Sequence, residues 1–402
     1  MNKLFLCISS LFLLTACSAV SEHETVPQNL ADHALPLGMS DLRYWGDSGQ
    51  LSMTEQFVRE ILEQQDRSGN LYDGQGELQA TNYLVLSGGG ENGAFGAGIL
   101  KAWSDDGTRP EFNVVSGVST GALIAVFAYL GPEYDQAMTD FYTTTQTSDI
   151  YSEKNIFTRF TGVSIFDTTP FEKMVRSTID EVLVDKVAQQ SKEGKVLLVG
   201  TTHLDSQRLS VWNMGKIAEI NTPESLRLFQ DIILASTALP GAFPAIQIDV
   251  LVGEHKYQEL HVDGGATRQA FLFPDGLKFS ANNSPLFLRE RNLYVIRNGE
   301  FYPRWQGSEL SFSYIASRSL STLIKYQSRG DIMRIYDQSR QINMQFKLAY
   351  INSDFNLRSD GNDPFNSDYM KALYDVGYER FKQGELWESK PPQFNAKEYI
   401  VE

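Results

Sequence analysis

The sequence predicts an α/β fold built around a mostly parallel sheet. Three continuous apolar runs are typical of short strands buried on both faces, at residues 83–86, 112–115 and 196–199. Helical patterns follow the first two runs, and such alternation is typical of βαβ units. Glycine-containing motifs stand at three predicted strand ends, which is where active sites of parallel sheets lie.

The other predicted elements continue this alternation along the chain. Short strands are predicted at residues 260–262 and 293–296, and residues 209–212 alternate as an added edge strand would. The predicted helices are an early one at 52–65 and later ones at 93–103, 122–130, 223–237, 310–340 and 367–383. Gly330 is a point at which the long helix could break.

Composition and charge disfavour several classes of function. Hydrophobic residues make up 42% of the 402 positions, which is enough for a substantial core. The 50 acidic residues outnumber the 35 basic ones, for a net charge of −15. A nucleic-acid partner is therefore not expected, because binding phosphates requires a basic surface. Adhesion to anionic lipid head groups by charge alone is disfavoured for the same reason.

The N-terminus carries a secretion signal. A basic start is followed by an apolar run of about a dozen residues, which is too short to span a bilayer of ~30 Å. Leu14-Thr15-Ala16-Cys17 then resembles the lipobox of bacterial lipoproteins, in which the cysteine is acylated. Ser18 rather than Asp follows, which implies the outer membrane of a Gram-negative cell. The alternative is an ordinary signal peptide cleaved near Ala16 or Ala19.

The two cysteines fit this assignment. Cys7 would leave with the signal and Cys17 would carry lipid, so the mature chain has no thiol left for a disulfide, a metal or a nucleophile.

A nucleophile motif follows the second predicted strand. Gly117-Val118-Ser119-Thr120-Gly121 is a G-x-S-x-G sequence between a strand and a helix. Such a sharp turn exposes the serine hydroxyl at the top of a sheet, and its flanking glycines, Gly117 and Gly121, relieve crowding. The alternative is a tight turn with an incidental serine.

Two further motifs complete the candidate site. Gly88, Gly89 and Gly90 follow the first strand, and their backbone N–H groups can converge on a developing negative charge as an oxyanion hole requires. A nucleotide loop is disfavoured because no G-K-[ST] follows. Asp263-Gly264-Gly265 ends another strand and can aim a carboxylate at a neighbouring nucleophile, although alone it is more often a plain turn.

Histidine offers only a weak alternative base. The five histidines are His23, His33, His203, His255 and His261, and none follows Asp263 as the Ser–acid–His order of α/β-hydrolases demands. His261 could hydrogen-bond the site but is more often structural. The remaining option is a dyad in which Asp263 takes the Ser119 proton directly.

The three motifs, in this order, resemble the patatin-like phospholipase family. Residues 235–244 (ASTALPGAFP) and the helix beginning near Asp368 are also similar to blocks of that family. The resemblance covers about residues 82–382 and implies a three-layer α/β/α fold with a mostly parallel central sheet. It implies Ser119 as nucleophile, Asp263 as base, Gly88–Gly90 as oxyanion donors, and hydrolysis of phospholipid or other lipid esters without metal or cofactor.

This assignment divides the chain into a signal peptide (1–16), a tether with an accessory helix (17–80), the hydrolase domain (81–385) and a C-terminal tail (386–402). One departure stands out: the family often has Arg or Lys where this chain has Asn92, and Glu91 adds negative charge. That weakens the case for binding an anionic head group. A catalytically silent lipid-binding lipoprotein and an esterase with a histidine-containing triad remain alternatives, and the oligomeric state is open.

Aromatic residues between these motifs have two interpretations. The stretch 151–171 and residues 271, 273, 286 and 287 could line an acyl-chain channel or form a lid, although filling the core is the favoured interpretation.

Overall fold

The computed structural model describes residues 23–47, 77–153, 164–273, 289–353, 355 and 364–392. The predicted helix at 52–65 and the lipobox with Cys17 lie outside these residues, as do Leu286 and Phe287. Within the described part of the chain, no helix has both the length and the hydrophobicity needed to cross a membrane.

The centre of the molecule is one mixed sheet of ten strands. Its strands are β1 (Leu35–Pro36), β2 (Arg43–Trp45), β3 (Thr81–Leu86), β4 (Val114–Val118), β7 (Val196–His203), β8 (Arg208–Asn213), β9 (Ile246–Val252), β10 (His255–Asp263), β11 (Arg291–Glu300) and β12 (Gln345–Ile351). The order is β1-β9-β10-β7-β4-β3-β11-β12, and β8 pairs with both β7 and β2. A separate two-stranded ribbon joins β5 (Ser152–Glu153) to β6 (Phe166–Asp167).

Five neighbouring strands, β7, β4, β3, β11 and β12, are parallel, as the fold class predicts. The strands beyond β7 are antiparallel. The predicted strand at 260–262 is therefore the end of the nine-residue strand β10. Polar residues fill its first half, and the apolar run used for prediction missed them.

Ten helices are described: α1 (Gly93–Asp105), α2 (Thr120–Leu130), α3 (Asp135–Thr144), α4 (Thr147–Ile150), α5 (Thr169–Thr178), α6 (Glu181–Lys192), α7 (Met214–Ile220), α8 (Pro223–Ser236), α9 (Phe312–Gln341) and α10 (Ser367–Lys382). Helix α9 runs through Gly330 without a break.

The sheet separates two hydrophobic clusters, because successive strand residues point to opposite faces. On β3, Leu84 and Leu86 face the larger cluster with most of the helices, whereas Tyr83 and Val85 face a smaller one. Helix α9 contributes Ile332 to the smaller cluster. The predicted three-layer α/β/α arrangement is thus confirmed, with one helical layer much larger than the other.

Segments assigned to the tether and the tail pack onto this domain. Strands β1 and β2 pair with β9 and β8, so residues 35–45 belong to the sheet. At the other end, Leu386 is buried and the backbone of Glu388 exchanges two hydrogen bonds with Leu348, at 2.8 and 2.9 Å. Residues 386–388 therefore pack against strand β12.

Candidate active site

Ser119 lies on a sharp turn between β4 and α2. Its backbone has φ 57° and ψ −129°, a strained conformation for a residue with a side chain. Both flanking glycines are required because a side chain would clash with the backbone. A Cβ at Gly117 would lie 2.3 Å from the carbonyl oxygen of Gly121, and a Cβ at Gly121 would lie 2.4 Å from the carbonyl oxygen of Leu86. The predicted elbow therefore has a steric reason for both glycines.

Asp263 reaches Ser119 because two strands share one edge of β7. Strand β8 pairs with β7 over residues 198–203, so β4 and β10 both lie on the opposite edge. There, the last residue of β4, Val118, pairs with Gly200, and the last residue of β10, Asp263, pairs with Thr201. The ends of a parallel and an antiparallel strand thus meet.

The Ser119 hydroxyl faces the Asp263 carboxylate closely enough to lower its pKa, as a hydrogen-bond donor does. The carboxylate also accepts a hydrogen bond of 2.7 Å from the backbone N–H of Gly265. Burial outweighs both effects and raises the pKa of Asp263 to about 6. The carboxylate is thus a stronger base than an exposed aspartate.

The glycine loop lies directly against the nucleophile. A Cβ built on Gly88 would be 3.3 Å from the Cβ of Ser119, and one built on Gly89 would be 2.1 Å from the carbonyl oxygen of Asn298. Only glycine allows this approach at both positions. Gly90 has φ 57° in the left-handed region and begins a short 3-10 turn.

The three glycines do not have equivalent N–H groups. The N–H of Gly88 donates to the carbonyl oxygen of Gln269 at 2.9 Å. Within the described residues, the N–H groups of Gly89 and Gly90 have no such partner. Of the three predicted donors, Gly89 and Gly90 are therefore available in this conformation, and Gly88 instead anchors the loop. Thr120, at the first position of α2, offers the other N–H that a nucleophile turn supplies.

The block at residues 235–244 positions the backbone of both Ser119 and Asp263. The Oγ of Ser236 accepts the backbone N–H of Ser119 at 2.9 Å and donates to the carbonyl oxygen of Gly200 at 2.7 Å. The carbonyl oxygen of Ala238 accepts the N–H of Asp263, also at 2.9 Å. The sequence alone assigns this block no role, because its contacts join positions far apart in sequence.

The residues at the departure from the family pattern hold the loop in place. A carboxylate oxygen of Glu91 accepts the backbone N–H of Phe365 at 2.6 Å. The side-chain oxygen of Asn92 accepts the hydroxyl of Tyr369, which lies on α10, at 2.7 Å. Both side chains thus tie the glycine loop to the C-terminal part of the domain.

The histidines lie away from Ser119 and Asp263. None of the five lines the cavity that contains Ser119 and Asp263. His203 and His261 are buried beside Glu259, which is paired with Arg43. His255 is exposed and pairs with Glu24.

His203, Glu259 and His261 also have the geometry of a metal-ligand cluster, but their hydrogen bonds are already satisfied. The Nδ1 of His203 accepts the backbone N–H of Ser206 at 3.1 Å, so its Nε2, 3.6 Å from Glu259, carries the hydrogen.

His261 has the same tautomer. Its Nε2 lies 3.2 Å from the carboxylate of Glu259, which can only accept, so Nε2 carries the hydrogen and donates it. The Nδ1 of the neutral ring then accepts the hydroxyl of Thr201 at 2.9 Å, and that hydroxyl oxygen accepts the indole N–H of Trp212. Both Nε2 atoms carry hydrogen, and the carboxylate of Glu259 is paired with Arg43. In this arrangement the three side chains form a polar network and present no free metal ligand.

A cavity of about 1170 Å³ opens above Ser119 and Asp263. Tyr151, Phe166 and Phe171 line it, so part of the predicted aromatic stretch does face the site. Residues 154–163 of that stretch lie outside the described residues. Phe271 and Phe273 pack with the smaller core cluster, in agreement with the core interpretation.

Comparison with known proteins supports the resemblance seen in the sequence. A family model described as patatin-like phospholipase matches residues 84–274, which include the glycine loop, Ser119 and Asp263. No curated protein sequence matches the chain.

Solved structures with a similar fold have low sequence identity. VipD from Legionella pneumophila is 12% identical with a TM-score of 0.37, and the match covers 78% of this chain and 68% of VipD. Human GIVD cytosolic phospholipase A2 is 11% identical with a TM-score of 0.32, covering 66% of this chain and 49% of that one. The type III effector ExoU of Pseudomonas aeruginosa is 13% identical with a TM-score of 0.32, covering 77% and 54%.

Proposed function

We propose that this chain, whose residues 84–274 form a patatin-like phospholipase domain, hydrolyses carboxylic esters of lipids with Ser119 as nucleophile and Asp263 as base. The proximity of these two side chains at one edge of β7 carries the proposal. It brings a strained, partly exposed serine beside a buried carboxylate without a histidine between them.

The arrangement supports a two-step reaction. Asp263 accepts the hydroxyl proton as the Ser119 oxygen attacks the ester carbonyl carbon. The negative charge that develops on the carbonyl oxygen is stabilised by backbone N–H groups, for which Gly89, Gly90 and Thr120 are the candidates. The intermediate then expels the alcohol, which takes the proton from Asp263, and an acyl-Ser119 ester remains.

Water completes the cycle. Asp263 takes a proton from water as it attacks the acyl-enzyme, and collapse of the second intermediate releases the fatty acid and returns the proton to Ser119. A base with a pKa of about 6 is ionised at neutral pH and binds a proton more readily than an ordinary aspartate. No step requires a metal ion.

The surface around the cavity favours a lipid substrate. Leu320, Leu323 and Tyr326 of α9 line the cavity and are also exposed. Trp305 and Phe312 nearby in sequence are 89% and 90% exposed. Such an accumulation of exposed apolar side chains is unusual on a soluble surface and suits contact with acyl chains.

Labelling with a fluorophosphonate probe tests the nucleophile. The wild-type protein should gain the probe mass on the peptide that contains Ser119, and Ser119→Ala should not react. Ser177→Ala, which removes an exposed hydroxyl on α5, is the matched control and should label normally. Lipid extracts incubated with the protein and read by mass spectrometry then report whether free fatty acids appear. Absence of both labelling and release would favour the silent lipid-binding alternative.

We also propose that the chain is attached to the cell envelope through an acylated Cys17, as the lipobox suggests. An acyl anchor of more than one chain holds a protein stably to a membrane. Cys17→Ser should move the protein from the membrane fraction to the soluble one, and mass spectrometry of the N-terminal peptide should show acyl groups only in the wild type. An unmodified Cys17 would contradict the proposal.

A further inference from the structure

One wall of the cavity contains a buried arginine that the proposed chemistry does not use. Arg297 lies near the end of β11, where the pairing with β12 shifts register between Arg297 and Glu300. The residue is only 3% exposed, yet it lines the same cavity as Ser119. Its side chain points to the sheet face that carries α9, since Val295 on the same side packs in the smaller cluster.

The guanidinium of Arg297 lacks the partners that a buried charge requires. Among the described residues, its Nε and Nη1 atoms have no hydrogen-bond partner. The neighbouring carboxylates are already paired: Glu300 lies 3.2 Å from Arg304 and 3.1 Å from Lys325, and Asp331 lies 2.8 Å from Arg334.

Besides these paired carboxylates, Arg297 has an aromatic ring and a second cation beside it. Arg297 lies over the ring of Phe301 at 5.3 Å, and Arg329 lies over the same ring at 5.9 Å. Burial and the charge of Arg329 lower the pKa of Arg297 to about 9, although the charges of Glu300 and Asp331 oppose this shift. Arg304 and Lys325 also line the cavity, so this wall is basic in a protein of net charge −15.

An unpaired buried guanidinium is costly, because the charge loses its hydration without gaining a counter-ion. Such a group is expected to have an anionic partner in the working protein. The planar guanidinium can donate two parallel N–H hydrogen bonds to phosphate oxygens. Because Arg297 and Ser119 line the same cavity, one ligand can carry both the phosphate and the ester.

We propose that Arg297 binds the phosphate group of a phospholipid substrate whose acyl ester is attacked by Ser119. The inference rests on the proposed hydrolase function and makes its substrate class phospholipid rather than neutral lipid. It also accounts for the absence of Arg or Lys at Asn92, because the cation that binds the head group comes from β11 instead of the glycine loop.

Paired substrates test the role of Arg297 in specificity. Arg297→Met should lower kcat/KM for a soluble short-chain phosphatidylcholine by about 10- to 100-fold, the value of a charge-assisted hydrogen bond. It should leave kcat/KM for p-nitrophenyl butyrate, which has no phosphate, within about twofold of wild type. Arg297→Lys should recover part of the loss. Arg227→Met, which removes a surface arginine on α8 that is 79% exposed, should change neither substrate. Equal losses on both substrates, or none on phosphatidylcholine, would overturn the inference.

Two measurements without turnover keep this result separate from the hydrolase proposal. Titration calorimetry with glycerol 3-phosphate should show binding to the wild type and to Ser119→Ala, and weaker binding to Arg297→Met. Arg297→Met should also unfold at a higher temperature than the wild type in phosphate-free buffer, because an unpaired buried charge is gone. Lower thermal stability would mean that Arg297 has a structural partner, and the inference would fall even if the enzyme hydrolyses lipid.

Discussion

The middle and the end of strand β10 place a buried carboxylate in opposite electrostatic situations. Asp263 and Glu259 lie four residues apart on the same face of the strand, and they are 6% and 1% exposed. Burial raises the pKa of Asp263 to about 6. Burial would do the same to Glu259, but Arg43 and two histidines lower its pKa well below the usual value.

The difference comes from partners and not from depth. Asp263 has only neutral neighbours, the Gly265 N–H that donates to it and the nearby Ser119 hydroxyl, so its charge is stabilised but not neutralised. Glu259 has a buried cation, and its proton affinity is correspondingly low. The end of the strand therefore has a carboxylate able to exchange a proton near neutral pH, and the middle has a carboxylate whose charge is fixed.

The largest expected effect is on activity, at the Asp263 end. Asp263→Asn should lower kcat on p-nitrophenyl butyrate by about 10²–10⁴-fold, because the hydroxyl of Ser119 loses its base. At pH 8 the same substitution should raise the free energy of unfolding by about 2–3 kcal/mol, since a shift from 3.8 to about 6 measures the cost of the buried charge.

Urea unfolding and steady-state assays on the same preparation test both parts. A variant that is inactive because it is misfolded would be less stable than the wild type, which is the reverse of this expectation. Full activity in Asp263→Asn would rule out the dyad.

Substitution of Glu259, in the middle of β10, should lower stability and spare activity. Glu259→Gln leaves the buried Arg43 without its counter-charge and should lower the free energy of unfolding by about 3–5 kcal/mol. Activity per folded molecule should stay within about threefold of wild type, because Glu259 does not contact the cavity.

Asp249→Asn is the matched control. Asp249 lies on the neighbouring strand β9 and forms an exposed ion pair with Lys256 of β10. Removing its charge should change the free energy of unfolding by less than about 1 kcal/mol. Loss of activity in folded Glu259→Gln equal to that in Asp263→Asn would mean that the histidine cluster takes part in catalysis.

The sequence predicted the parallel centre of this fold well. Residues 83–86 and 196–199 are apolar on both faces because both faces are covered, and such runs are recognisable. Strand β9 was missed and β10 was truncated because these antiparallel strands carry polar residues such as Gln258 and Glu259. The parallel strand β12 was also missed, because its polar residues Gln345 and Lys347 interrupt the apolar run.

The site shows the same division. Ser119, Gly117 and Gly121 were predictable because the turn chemistry is local. Other features depend on contacts between distant residues. Gln269 binds the N–H of Gly88 from 181 positions away, and Ser236 supports Ser119 from 117 positions away. The role of Arg297 depends on its burial. A single sequence carries no direct signal for such contacts. The placement of His203 and His261 in a separate hydrogen-bond network, away from Ser119, likewise follows only from the structure.

The smallest expected effect is on pH dependence, and it separates the two carboxylates without removing either. Asp263 must be ionised to act as a base, so kcat/KM for p-nitrophenyl butyrate should rise with pH around a midpoint near 6 and fall about tenfold from pH 8 to pH 5.

Stability should respond to pH in the opposite direction at this group. The folded protein binds a proton on Asp263 more tightly than the unfolded chain, so lowering the pH through 6 relieves the cost of its charge. The stability advantage of Asp263→Asn over wild type should therefore shrink by about 1.4 kcal/mol between pH 8 and pH 5. Taking the difference between the two proteins cancels other titrating groups, including His261, whose pKa burial lowers to about 4. The penalty of Glu259→Gln should stay nearly constant over this range, because Glu259 remains ionised throughout. If both differences moved together with pH, the two carboxylates of β10 would not be electrostatically distinct.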